Sequence, residues 1–355
     1  MKKAVWKQEV IDEYRYRITE SLANEKDYKI LNSYYNDLVI LESIEDYQKD
    51  GKCFIQSDNF KEKSAQDIYC LTQFEDFYDD ICSFDKKRKL IPGFKVGNID
   101  TREIKSSDVM TFVFDFFHQF DDDYSKILDK IYVDNKDNLI FSNHRSVTFS
   151  LSNNQGYFIN IENSKTIEEY INAVHEYAHA IADYIKLRYY SSSNYPFFET
   201  LPIFAEVNAL DYLEKTIPNY KNDIYTYKKS ILLTLLNMAR KLIYQHDFYT
   251  RDYTNSRLIG ILSTMLKNHD SFSFVCDAIN GSIYEKYMYL ISYLVSIELL
   301  LCDDFELAKF RLNKILETDD LDSYILFLYD IGINLNEHTD EYIKSIRDNK
   351  KIIKF

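Results

Sequence analysis

Residues 166–186 read TIEEYINAVHEYAHAIADYIK, and the spacing of apolar residues in this stretch predicts a long helix at the centre of the fold. Ile167, Tyr170, Ile171, Val174, Ala178, Ile181, Ala182 and Ile185 recur every three or four residues, as one face of a helix requires. Thr166-Ile-Glu-Glu169 has the S/T-x-x-E form of a capping box, in which two side chains satisfy the orphan N–H groups of a helix start. No Gly or Pro occurs between Thr166 and Tyr195 to end the pattern early. Ala173, Ala178, Ala180 and Ala182 are small enough to let a neighbouring helix approach closely.

Within this helix stands His175-Glu176-x-x-His179. Positions i and i+4 lie on one helix face, so both imidazoles can reach one metal ion. Glu176 is turned about 100° from His175 around the axis, near enough to take a proton from water without being a ligand. That division of labour is the zinc-peptidase reading of an HExxH helix. With seven histidines in 355 residues, the three letters arise by chance in roughly one chain in a hundred. The capped, uninterrupted helix around them favours a functional site.

Composition narrows the classes. A hydrophobic content of 46% excludes a disordered chain, and 355 residues can bury a large core. Seven Gly and four Pro among long periodic stretches predict a mainly α-helical fold. The net charge of −14 argues against nucleic-acid and anionic-membrane partners and leaves room for a peptide substrate. The N-terminal MKKAVWKQEVIDEYRYRITE lacks the apolar core of a signal peptide. The most apolar run, Tyr287 to Cys302, is shorter than a membrane span and carries Glu298, so it reads as a buried helix. Cys53, Cys70, Cys82, Cys276 and Cys302 are odd in number and form no C-x-x-C, as expected of reduced thiols in a cytoplasmic protein.

Along the chain, amphipathic stretches at Glu9–Leu22, Tyr28–Tyr47 and Ala65–Ile81 predict an N-terminal helical region over residues 1–95. Ile91-Pro92-Gly93-Phe94 and Gly97-Asn98 make the first break, and a zinc-peptidase region is expected over 96–355. A single helical stretch is predicted from about Ser107 to Ile131. Ser146–Leu151 and Gly156–Ile161 are β-type runs joined through Ser152-Asn-Asn-Gln155, a hairpin directly before the motif helix. Its exposed edge could hydrogen-bond an extended peptide. From Leu201 onward the chain reads as helical, with breaks near Pro218, Asn268–Asp270 and Asp319–Asp320.

Two histidines leave a tetrahedral zinc one protein ligand short. Ala182 and Ile185 occupy the Gly and His positions of the longer HExxHxxGxxH pattern, which excludes a third histidine there. A downstream glutamate is the remaining solution, giving His₂Glu around one Zn²⁺. Glu199 precedes Thr200-Leu-Pro202, and Glu206 lies one turn into the next predicted helix; Glu206 is the preferred ligand. Asp183, one turn past His179, could orient an imidazole or be a helix-surface charge, and His246 and His269 could contact substrate, though ordinary surface histidines are the preferred reading.

His175-Glu-Tyr-Ala-His179-Ala followed by Ile203-Phe-Ala-Glu206-Val-Asn-Ala resembles the thimet oligopeptidase and oligoendopeptidase F family. Such chains carry HExxH on one helix and a glutamate ligand in an F-x-E-V-A-S-like segment about 25 residues on. The likeness covers roughly residues 105 to 300, hairpin included. It implies a mainly α-helical peptidase with a deep channel for short unstructured peptides. It also implies tyrosines on a late helix that donate to the oxyanion, and Tyr284–Ser296 is the matching region. Tyr293 is the first candidate, then Tyr289, which shares its face at i,i+4, then Tyr287. The chain departs from the family at Ala178, where Gly is usual, in lacking the Ser of the ligand segment, and in its short length. A smaller enclosing domain would suit a protease dedicated to one precursor. A peptide-binding protein without turnover is the rival from another class.

Overall fold

The computed structural model describes residues 6–25, 28–50, 74–151, 156–186, 196–250, 283–318 and 323–350. Among these, long helices and one small sheet account for the regular structure, as the sparse Gly and Pro predict. The chain separates into two compact units. The first comprises Met1–Asp58, Asn98–Ser192 and Leu201–Ile224, and the second comprises Asn59–Gly97, Ser193–Thr200 and Tyr225–Phe355.

In the first unit, α1 (Gln8–Asn24) and α2 (Tyr28–Asp50) coincide with the two N-terminal amphipathic stretches. Helices α4 (Ser106–Phe120) and α5 (Asp122–Asn135) replace the single helix expected from Ser107 to Ile131. The break falls at Asp121. Its carboxylate accepts from the N–H groups of Asp123 and Tyr124 at 2.9 and 3.0 Å, so a fresh helix starts there. The apolar period runs through this junction unchanged, which is why periodicity alone merges the two.

The sheet contains β1 (Leu139–Ser142), β2 (Val147–Ser150) and β3 (Tyr157–Glu162) in the order β1-β3-β2. Strands β2 and β3 form the antiparallel hairpin expected from the sequence, with Phe149 opposite Phe158 and Leu151 N–H bonded to Gly156 O at 2.8 Å. The loop residues Ser152–Gln155 lie outside the described residues. Strand β1, which the sequence reading leaves unassigned, pairs with β3 in parallel.

Because β1 and β2 flank β3, the chain between them crosses the end of β3, and Asn160 holds that crossing. Asn160 is fully buried; its amide donates to the carbonyls of His144 and Arg145 at 3.0 Å and accepts from Ser142 Oγ at 2.7 Å. A buried amide with every partner in place specifies one arrangement and is costly to remove. Asn160→Ala is expected to destabilise the protein by about 1–3 kcal/mol, read as a lowered urea midpoint. A loss no larger than about 0.5 kcal/mol, typical of a surface change, would show that the crossing holds itself.

Phe149, Leu151 and Phe158 on one sheet face pack with Trp6, Ile11 and Ile18 and with Leu41 and Ile44 of α2. Trp6 meets the rings of Phe149 and Phe158 edge-on at 6.1 and 5.9 Å, and its Nε1–H donates to Asn138 O at 2.6 Å. The other sheet face lies against α6 (Glu168–Lys186), which also packs on α4 and α5. Helix α6 is therefore buried nearly all round, Ala173, Ala178, Ala180 and Ala182 included. The unit is completed by α7 (Thr200–Thr216) from Leu201 onward and by the Pro218–Tyr220 turn, which matches the expected break.

In the second unit, residues 74–86 form α3; the expected helical stretch before residue 74 lies outside the described residues. With it are α8 (Lys221–Thr250, in this unit from Tyr225), α9 (Ile283–Leu300), α10 (Phe305–Glu317), α11 (Tyr324–Asp330) and α12 (Thr339–Arg347). The apolar run from Tyr287 lies in the buried helix α9, as read from the sequence, and no described helix is long and apolar enough to cross a membrane. Glu298, buried in α9, accepts from the backbone N–H and Nδ1 side of His338 at the start of α12, and burial raises its carboxyl above the usual range. Cys82 and Cys302 are free thiols; Cys53, Cys70 and Cys276 lie outside the described residues. The expected breaks at Asn268–Asp270 and Asp319–Asp320 also lie outside them.

Candidate metal centre

Helix α6 starts much as its sequence requires. Thr166 Oγ1 accepts from Glu168 N–H at 3.2 Å, and Glu169 reaches back to Lys165 N–H at 2.5 Å, one residue further than a standard capping box. Lys165 takes a positive φ of 57° to present that N–H. Two turns on, the helix delivers His175, Glu176 and His179 in its well-packed middle.

The imidazoles of His175 and His179 sit one turn apart, with ring centroids 4.9 Å apart and ring nitrogens able to approach a common ion within 4.8 Å of each other. Glu176 and His179 are buried, and the His175 side chain keeps 16% exposure, so the pair is sheltered yet open to a small ligand. Thr148 of β2 donates its hydroxyl to Glu176 O at 2.9 Å, tying the outer strand of the sheet to the helix at the residue between the two histidines. The sequence reading does not include this contact. Its only signal is a polar residue on the β2 face opposite Phe149.

Neighbouring phenols are held neutral. Burial raises the Tyr177 hydroxyl well above the ordinary tyrosine range, and burial with the nearby Tyr220 pushes Tyr170 up to about 12. Both serve as packing around the motif.

The glutamates expected to complete the site are placed differently from one another. Glu206 on α7 is buried, and its Oε2 lies 3.2 Å from Nδ1 of His175. Glu199 is half-buried at the end of a segment pinned within the second unit: its N–H donates to Ser292 Oγ at 3.2 Å, and the same hydroxyl donates to Pro196 O at 3.0 Å. One turn along α9, Ser296 donates to Thr200 O at 3.1 Å. A Ser-x-x-x-Ser pair in a mostly apolar helix is the sequence signal for this anchoring.

The tyrosine candidates all lie in the second unit. Tyr287 is buried against Phe74 and Phe77, at ring distances of 6.0 and 6.1 Å. Tyr293 is buried and shares a 2.6 Å hydroxyl–hydroxyl hydrogen bond with Tyr342. Tyr289 is half-buried, with its ring 6.2 Å from that of Tyr293. Asp183 is buried on α6, one turn past His179. His246 is buried rather than on the surface, with Nε2 at 2.7 Å from Glu75 and its ring against Phe74 and Tyr78; His269 lies outside the described residues.

No protein-family model matches the chain, and no curated protein matches it in sequence. Solved structures do. One is a protein assigned as oligoendopeptidase F from Bacillus anthracis str. Ames, with a TM-score of 0.51 at 13% identity over 90% of this chain and 62% of that one. PZ peptidase A bound to an inhibitor gives 0.48 at 10% identity over 94% and 67%, and a second protein assigned as oligoendopeptidase F gives 0.49 at 10% over 89% and 64%. The first of these likenesses shows a shared fold, mainly helical and of the oligoendopeptidase F type. The chain spans less than two thirds of the length of that first relative.

Proposed function

We propose that this chain, with the fold of an oligoendopeptidase F, is a zinc metallopeptidase acting on peptides. The observation that carries the reading is the pair of imidazoles one turn apart on α6, ring nitrogens within 4.8 Å, with Glu176 beside them on the same sheltered helix. Two imidazole nitrogens and one carboxylate form the donor set that suits zinc in hydrolytic sites.

Of the two candidate glutamates, Glu206 is the proposed third ligand, as the sequence reading prefers. Its carboxylate stands in the same compact unit as the two histidines, with Oε2 3.2 Å from Nδ1 of His175.

When bound, zinc would supply Lewis acidity to the scissile carbonyl and make water a stronger acid. The chain's own groups do the rest. Glu176 takes the proton from the attacking water at its carboxylate and delivers it to the departing amine. The buried surroundings of α6 exclude bulk water and strengthen each electrostatic contact. A phenol donates to the developing oxyanion. Tyr289 is proposed for that role ahead of Tyr293, whose hydroxyl is shared with Tyr342 in a buried pair.

The test is mass spectrometry of a diverse peptide mixture incubated with zinc-loaded protein, beside the same protein carrying Glu176→Ala. New termini made only by the unsubstituted protein are expected, and the cut sites then define specificity. Intact peptides in the presence of stoichiometric zinc would refute general peptidase activity.

A further inference from the structure

Helix α6 packs on the sheet and on α4 and α5 largely through apolar side chains, Ala173, Ala178, Ala180 and Ala182 among them. Apolar burial is non-directional, so it presses the helix onto its neighbours without fixing its rotation or its position along its own axis. A hydrogen bond is directional and restrains both. Thr148 of β2 supplies one at the motif itself. Its hydroxyl donates to the main-chain oxygen of Glu176 at 2.9 Å. Mid-helix, that oxygen is the acceptor for the N–H four residues on, and the threonine occupies its second lone pair. The donor is itself well fixed. Thr148 lies opposite Ile159 in the β2–β3 pair, and its neighbour Phe149 packs in the Trp6 core on the other sheet face. A β-branched side chain also has restricted χ1 rotation.

We infer that Thr148 is a positioning residue for Glu176. It pins the base-bearing turn of α6 to strand β2, so that the carboxylate meets the attacking water at a fixed angle and height. The inference rests on the peptidase reading above and concerns what aligns its base. Thr148 and Glu176 belong to the same compact unit. The bond is made to the main chain, so it restrains the whole turn rather than one rotamer. The hydroxyl is committed to the helix, so Thr148 acts on catalysis through Glu176 and not by touching substrate. Catalytic geometry tolerates little, since a misplacement of about 1 Å costs about 100-fold in rate.

The experiment compares the unsubstituted chain with Thr148→Val, which keeps the branched shape without the hydroxyl, and Thr148→Ser, which keeps the hydroxyl without the methyl. It measures kcat and KM on one identified peptide, zinc on the same samples, and amide hydrogen exchange of the metal-free proteins across residues 170–182. Thr148→Val is expected to lower kcat by about 10-fold, short of the 1 Å penalty because packing still confines the helix. KM and zinc content should change little, and exchange within the motif turn should speed up. Thr148→Ser should restore most of the rate and the slow exchange. An unchanged kcat in Thr148→Val would overturn the inference, even with a lowered urea midpoint, because the contact would then serve stability alone. Equal losses in both variants, or zinc lost in step with kcat, would overturn it too. Unchanged exchange in Thr148→Val would remove the pinning and leave the peptidase reading intact. No cleavage by the unsubstituted chain would instead remove that reading, and the catalytic role of Thr148 with it.

Discussion

Glu176→Gln is expected to lower the rate of peptide cleavage by about 100- to 10,000-fold while zinc content stays stoichiometric, because the change removes a general base and little else. The amide keeps the size of the carboxylate and cannot accept the proton. Glu176 is buried at the centre of α6, and its backbone carbonyl accepts from Thr148, so the helix geometry persists when only the side-chain atom changes. Single-turnover cleavage of one identified peptide, with zinc measured on the same sample by mass spectrometry, separates the two quantities. Loss of activity together with zinc would mean that the substitution damages the site rather than the chemistry. Retained activity would assign proton transfer to another group.

The motif helix is legible because every requirement for it is local. The cap at Thr166 and Glu169, the apolar period and the lack of Gly or Pro all lie within one continuous stretch. The β2–β3 hairpin is legible for the same reason, since two β-type runs flank a polar loop. Strand β1 is not. Leu139-Ile-Phe-Ser142 is only four residues long, and its partner β3 lies about twenty residues away in parallel, so pairing depends on the Asn160 crossing rather than on local pattern. The helix break at Asp121 was available in principle from the acidic triplet Asp121–Asp123, where a carboxylate can cap, but the apolar period masks it.

The site shows the same division. Spacing identifies His175, Glu176 and His179, because ligands from one helix obey the helix period. It cannot rank Glu199 against Glu206, because both follow the motif helix at similar distance along the chain, and only the fold shows that Glu199 stands in the turn before α7 while Glu206 stands within it, 3.2 Å from His175. Nor can spacing rank Tyr287, Tyr289 and Tyr293, which differ in burial and hydroxyl partners: Phe74 and Phe77 come from α3 and Tyr342 from α12, far away in sequence.

The ligand set leads to the second large effect. His179→Ala is expected to abolish stoichiometric zinc binding and, with it, cleavage of any peptide the unsubstituted protein cuts. Outer-sphere changes cost about 10- to 100-fold in affinity. Removing one of two imidazoles on a single helix takes away a direct bond to the ion, so the loss should exceed that range. A thermal readout tests this without a substrate. A ligand that binds only the folded state stabilises it by about 2.7 kcal/mol when present at 100 times its dissociation constant, so zinc added to metal-free protein should raise its melting temperature. The His179→Ala protein should show no such rise. His179 is buried on a helix flanked by Ala178 and Ala180, and its truncation also removes packing, so the metal-free variant is expected to melt somewhat below the metal-free parent. That offset is independent of zinc, whereas the missing rise is not. A full zinc-dependent rise in the variant would show that His179 is not a ligand and would leave the HExxH reading of α6 without its second half.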